Sequence, residues 1–92
     1  MAKRVENKVV IVTGAGTGIG KSCMQLFAEE GANVVGCGRR IEKLEETLEG
    51  ISFESNRGFI VPADLSQNND AQKVVEKAVQ EFGKVDILVN GA

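Results

Sequence analysis

Lys8 to Thr13 is a near-continuous β-branched run, and glycines recur at every second position straight after it: Gly14, Gly16, Gly18 and Gly20. That junction restricts the fold more than any other feature of the chain. β-branched side chains suit extended backbone, and a run that is apolar without alternation suits a parallel strand buried on both faces. Parallel strands need a crossover between them, usually a helix. Ile19, Cys23, Leu26 and Phe27 then recur at helical spacing, and Gly31 stands where a helix C-terminal glycine belongs.

The same alternation continues. Asn33 to Cys37 reads as a second strand, and Ile41, Leu44, Leu48 and Ile51 mark a second amphipathic helix. Phe59 to Val61 is a third strand, closed by Pro62. Ala71, Val74, Val75, Ala78, Val79 and Phe82 define a third helix, with Ser66, Asn68 or Asn69 as its cap and Gly83 as its end. Val85 to Val89 is a fourth strand. Strands alternating with helices across short loops imply right-handed crossovers. The expected class is α/β: the first half of a doubly wound fold, a parallel sheet of about four strands with three helices, as one partial domain over 1–92. Because an apolar strand edge is a liability, a chain stopping at Ala92 is expected to be a fragment or to need a partner chain.

Composition removes several function classes. The 92 residues carry a net charge of −2, with 42% hydrophobic and 26% charged residues. That is an ordinary soluble balance, without the basic footprint that nucleic acid or an anionic membrane requires. The charged start and the short Val9–Val12 run match neither a signal peptide nor a span, so a cytoplasmic location is expected. Cys23 and Cys37 make no disulfide framework, and with no His in the chain a zinc site or a Cys–His nucleophile is excluded.

The glycine loop lets backbone approach a phosphate closely, and the helix behind it favours an anion at its N-terminus. A tight turn without ligand is the alternative. The simple G-x-G-x-x-G fingerprint fails because Ile19 occupies its third glycine. A P-loop nearly fits: Gly20-Lys21-Ser22 supplies its ending, with Ala15 in place of the first glycine.

Thr13-Gly14-x-x-x-Gly18-Ile19-Gly20 resembles the T-G-x-x-x-G-I-G loop of classical short-chain dehydrogenases/reductases. Asp64-Leu65 after the third strand resembles that family's adenine-contacting Asp and its neighbour. Leu88-Val89-Asn90-Gly91-Ala92 resembles its L-V-N-N-A-G, with Gly91 replacing the second Asn. All three fall at C-terminal ends of strands, where open α/β sheets bind ligands. A P-loop also needs a strand leading to a Mg²⁺-holding Asp, and Pro62 interrupts the run before Asp64. The resemblance implies an NAD(P)-binding Rossmann half, about the first third of a usual member. It implies cofactor contacts from Gly14, Gly16, Thr17, Gly18, Ile19, Gly20, Asp64, Leu65, Asn90, Gly91 and Ala92.

NAD-binding units usually end the second strand on an acid that bonds the ribose 2′-OH. Gly38 takes that place here, followed by Arg39 and Arg40, and no acid occurs before Glu42. A guanidinium there suits a 2′-phosphate, so NADP is expected over NAD, although the two arginines also fit a solvated helix start. Asp64 alternatively reads as a turn residue, and Cys37 as a packed small side chain.

The family's chemistry uses a Tyr, a Lys three residues past it and a Ser, and this chain contains no Tyr. No catalytic residue and no metal ligand is therefore assigned. The resemblance implies a complete enzyme that moves hydride between NADP(H) and a small-molecule carbonyl or alcohol, as a homo-oligomer, and this stretch alone is expected to be inactive. A non-catalytic nucleotide-binding half-fold that dimerises through its fourth strand, and a P-loop triphosphatase, remain as alternatives.

Overall fold

The computed structural model describes residues 6–16, 18–51, 58–64 and 67–90. The elements alternate as β1 (Val9–Thr13), α1 (Gly18–Glu29), β2 (Asn33–Gly38), α2 (Ile41–Glu49), β3 (Gly58–Pro62), α3 (Asn68–Phe82) and β4 (Ile87–Asn90). All pairings are parallel, in the order β3-β2-β1-β4. The expected α/β class and doubly wound topology are what the chain adopts.

β1 is buried along its whole length, so its backbone groups must find partners on both edges. β2 and β4 supply them, with Val10 level with Val34 on one side and Ile87 on the other. Alternate side chains then go to opposite faces. Val10, Val12 and Val34 pack against Met24, Ala28 and Leu44 from α1 and α2. Val9, Ile11, Val35 and Cys37 pack against Val74 and Ala78 from α3. The result is three layers with the sheet in the middle.

Two helices bury only part of the face their apolar spacing suggests. On α1 the buried positions are Gly20, Met24 and Ala28, whereas Ile19 is 73% and Leu26 56% exposed. The rotation follows from backbone contact. A Cβ at position 20 would strike the Gly14 carbonyl, so Gly20 must face the loop and Ile19 turns outward. On α3, Val74 and Ala78 are buried, but Val75 and Val79 stay about half-exposed. Val75 lines one cavity with Ile11 and with Leu88 of β4, itself 66% exposed.

Helix ends follow backbone chemistry. Gly31 (φ 92°) closes α1: its N–H donates to Ala28 O, and Ala32 N–H donates to Phe27 O. That double bond is the Schellman arrangement, which a left-handed residue permits. Gly83 ends α3 as expected, in the left-handed region. The expected cap of α3 differs. Gln67 holds the N-cap position without a side-chain bond, Asn68 and Asn69 are already helical, and Ser66 lies outside the described residues. Among the described residues, no helix is long and apolar enough to cross a membrane.

Asp86 fastens the start of β1 to β4. Its N–H donates to Val9 O at 2.9 Å, and its Oδ2 accepts the Val9 N–H at 2.8 Å and faces Lys84 Nζ at 3.1 Å. The Val9 N–H, with Lys84 adding to it, lowers the carboxyl below its ordinary 3.8. The stabilisation is therefore present above pH 3.8 and is lost as pH falls through the lowered value. Asp86→Ala should destabilise the fold at neutral pH. Urea unfolding should show the gap between variant and parent narrowing as the pH drops below 3.8.

Candidate functional site

The glycine loop leaves β1 at Gly14, whose φ of 62° is a conformation that side chains rarely adopt. The next residue, Ala15, is fully buried and tied on both sides. Its N–H donates to Cys37 O of β2 at 3.0 Å, and its carbonyl accepts from Thr47 Oγ1 of α2 at 3.0 Å. The single Thr47 hydroxyl hydrogen is shared with Lys43 O at 3.1 Å, one helical turn back. Thr47 is itself fully buried. The loop is thereby held between β2 and α2, with Gly14 and Gly16 lining the crevice.

The start of α1 follows the loop directly. Gly18, Ile19 and Gly20 form its first turn, which carries no acidic residue. The N–H groups there lack intrahelical acceptors and favour an anion. Ile19 presents its apolar side chain beside them. Lys21 and Ser22, the residues a P-loop would use, are solvent-facing on the same helix.

The end of β2 borders the same loop. A cavity of about 370 Å³ is lined by Gly14, Gly16, Gly38, Arg39, Arg40, Lys43 and Leu44, and among the described residues no carboxylate lines it. Arg40 is the N-cap of α2 in extended backbone, and its side chain makes no cap bond. Arg39 also borders a neighbouring cavity of about 350 Å³, with Pro62, Ala63, Asp64 and Asp70. The end of β3 is anchored there by Ala63 N–H donating to Gly38 O at 2.7 Å. The Asp64 N–H donates to Asp70 Oδ2 at 2.7 Å, so that backbone donor is already engaged.

Asn90 closes the third side. Its Oδ1 accepts from Thr13 Oγ1 at 3.0 Å, joining the ends of β1 and β4. The structure thus gathers Gly14, Gly16, Arg39 and Arg40 around one cavity, sets Asp64 across Arg39, and places Gly18, Ile19 and Gly20 at the helix start. Thr17, Leu65, Gly91 and Ala92 lie outside the described residues. Cys37 is buried, and burial pushes its thiol up to about 11, so it stays protonated and unreactive at neutral pH. Among the described residues no group of three or more His, Cys, Asp or Glu is placed to hold a metal.

Three contributors escaped the sequence reading: Lys43, Thr47 and Asp70. Thr47 left a trace, as a polar residue three positions after Leu44 on the apolar stripe of α2. Lys43 and Asp70 left none, since a charged residue in the first turns of a helix is the ordinary solvated case.

Known proteins share this arrangement. The family described as short chain dehydrogenase matches residues 8–92. The short-chain dehydrogenase/reductase homolog YusS of Bacillus subtilis is 44% identical over 89 residues, covering 96% of this chain and 82% of that protein. An uncharacterized oxidoreductase of Listeria monocytogenes is 42% identical over 84 residues, covering 91% of this chain but 34% of the relative. The chain therefore spans about a third of most of the relatives it matches first. Among solved structures, the apo glucose dehydrogenase of Caenorhabditis elegans superposes with a TM-score of 0.89 at 39% identity, over 97% of this chain and 39% of that one. The 3-ketoacyl-(acyl-carrier-protein) reductase of Brucella melitensis, complexed with NADH, superposes at 0.83 with 39% identity, over 91% and 34%.

Two outcomes follow from the buried groups. Thr47→Val keeps the shape but leaves the Ala15 carbonyl unpaired, and should cost about 1–3 kcal/mol in urea unfolding. Folding keeps Cys37 protonated while the unfolded thiol ionises near 9.0, so stability should be full below pH 9.0 and fall as pH rises toward 11. Cys37→Ala should flatten that alkaline decline.

Proposed function

The chain belongs to the short chain dehydrogenase family, and from that premise we propose that it is the NADP(H)-binding part of an oxidoreductase acting on a small carbonyl or alcohol. The observation that carries the choice of cofactor is the end of β2. Gly38 occupies the place of a ribose-binding acid, and Arg39 and Arg40 line a cavity that, among the described residues, no carboxylate lines.

The residues present fit such a ligand. Glycines at 14 and 16 border the cavity where a dinucleotide's phosphates would lie, and the first turn of α1, next in the chain, carries no acid. Arg39 and Arg40 suit a 2′-phosphate through charge-assisted bonds. Asp64, with its loop braced by Asp70, borders the adenine end. Ile19 offers an apolar contact beside the helix start. When bound, the nicotinamide supplies hydride transfer. This chain's own residues bind and orient it, and with no Tyr among its 92 residues they do not move the substrate's proton. That step, the substrate pocket and the homo-oligomer belong to our reading of the whole enzyme. A net charge of −2 supports a cytoplasmic protein that avoids nucleic acid and membranes. The loop shared with the family match leaves the triphosphatase alternative unsupported.

NADPH should bind tighter than NADH by about 10- to 100-fold, the range expected when a phosphate gains charge-assisted bonds. Calorimetric titration with each cofactor measures it. Arg39→Ala should bring the two affinities together. Equal binding of NADPH and NADH by the parent chain overturns the proposal.

A further inference from the structure

We propose that Lys43 is a third cation for the 2′-phosphate beside Arg39 and Arg40, supplied by α2, and that Thr47 is the residue that positions it. This rests on the NADP reading above. Nothing in the sequence pattern marks Lys43; its place in the fold does.

Lys43 lines the same cavity as Arg39 and Arg40, opposite Gly16. A Cβ built on Gly16 would lie 2.8 Å from the Lys43 Cβ, so the first turn of α2 sits directly on the glycine loop. Thr47 keeps it there. Its buried hydroxyl bridges the Ala15 carbonyl at 3.0 Å and the Lys43 carbonyl at 3.1 Å, joining the loop to the turn that carries Lys43. Base and phosphate cradle therefore move as one unit.

The Lys43 ammonium is available for a ligand. Its partner is Glu46 at 3.8 Å, a loose pair one turn along the helix, with both side chains well exposed. Such pairs contribute little and are readily exchanged. A phosphate dianion between Arg39 and Lys43 would meet a planar guanidinium from one wall and a compact ammonium from the other. Among the described residues the cavity holds three cationic side chains and no lining carboxylate, so a 5′-phosphate alone, bound at the α1 end, gains less from Lys43 than a 2′-phosphate does.

The test uses the full chain with 2′,5′-ADP and 5′-ADP as probes, measured by calorimetric titration. Lys43→Gln should weaken 2′,5′-ADP binding on the order of 10-fold and leave 5′-ADP unchanged. Lys43→Arg should restore most of the loss. Thr47→Val should weaken 2′,5′-ADP in the same selective direction, and Thr47→Ser should restore it. Equal weakening of both probes by Lys43→Gln, or no change in either, overturns the assignment. A parent chain that binds the two probes equally overturns the NADP reading itself. A parent preference that Arg39→Ala removes and Lys43→Gln leaves intact overturns the role of Lys43 alone. Unchanged urea midpoints for the Lys43 variants exclude loss of fold as the cause.

Discussion

The pinning of Ala15 holds the site together. One buried residue donates its N–H to β2 and lends its carbonyl to a hydroxyl from α2. Both bonds lie inside the packed layer, where an unmade partner is costly. They set the path of the chain as it leaves β1, and they dock α2 against it. The cationic cavity exists because these two pieces, far apart in sequence, are fixed to each other.

Close backbone approach is the second constraint. Gly20 meets the Gly14 carbonyl with no room for a side chain, and that contact sets the rotation of α1 about its axis. The core then takes Met24 and Ala28, while Ile19 is left exposed. One steric condition thus serves both packing and the candidate site. The other sheet face is less complete: Val75, Val79 and Leu88 remain exposed on α3 and β4.

Much of the architecture was readable from local chemistry. The valine-rich β1, the positive-φ glycines at 31 and 83, and the spacing of Val74 and Ala78 each express a preference that tertiary contacts only had to accept. Helix faces were less readable. Apolar spacing alone favoured Ile19 and Leu26 over Gly20 and Ala28, because periodicity weighs side chains and ignores backbone approach. The cap of α3 was misplaced for a related reason. Asn68 and Asn69 are good caps in isolation, but Asp70 engages the Asp64 N–H and the helix begins after Gln67.

The sequence by itself determined the order of strands and helices, the glycine loop, and a second strand that ends on Gly38, Arg39 and Arg40 instead of an acid. These are properties of neighbouring residues, so they are written in the chain. Only the tertiary structure decided that Lys43 shares a cavity with those arginines and that Thr47 bolts α2 to the loop. Those contacts join residues about 30 positions apart, such as Thr47 and Ala15, and arise only when α2 packs back onto the end of β1. No local pattern carries that distance; a packed parallel sheet does.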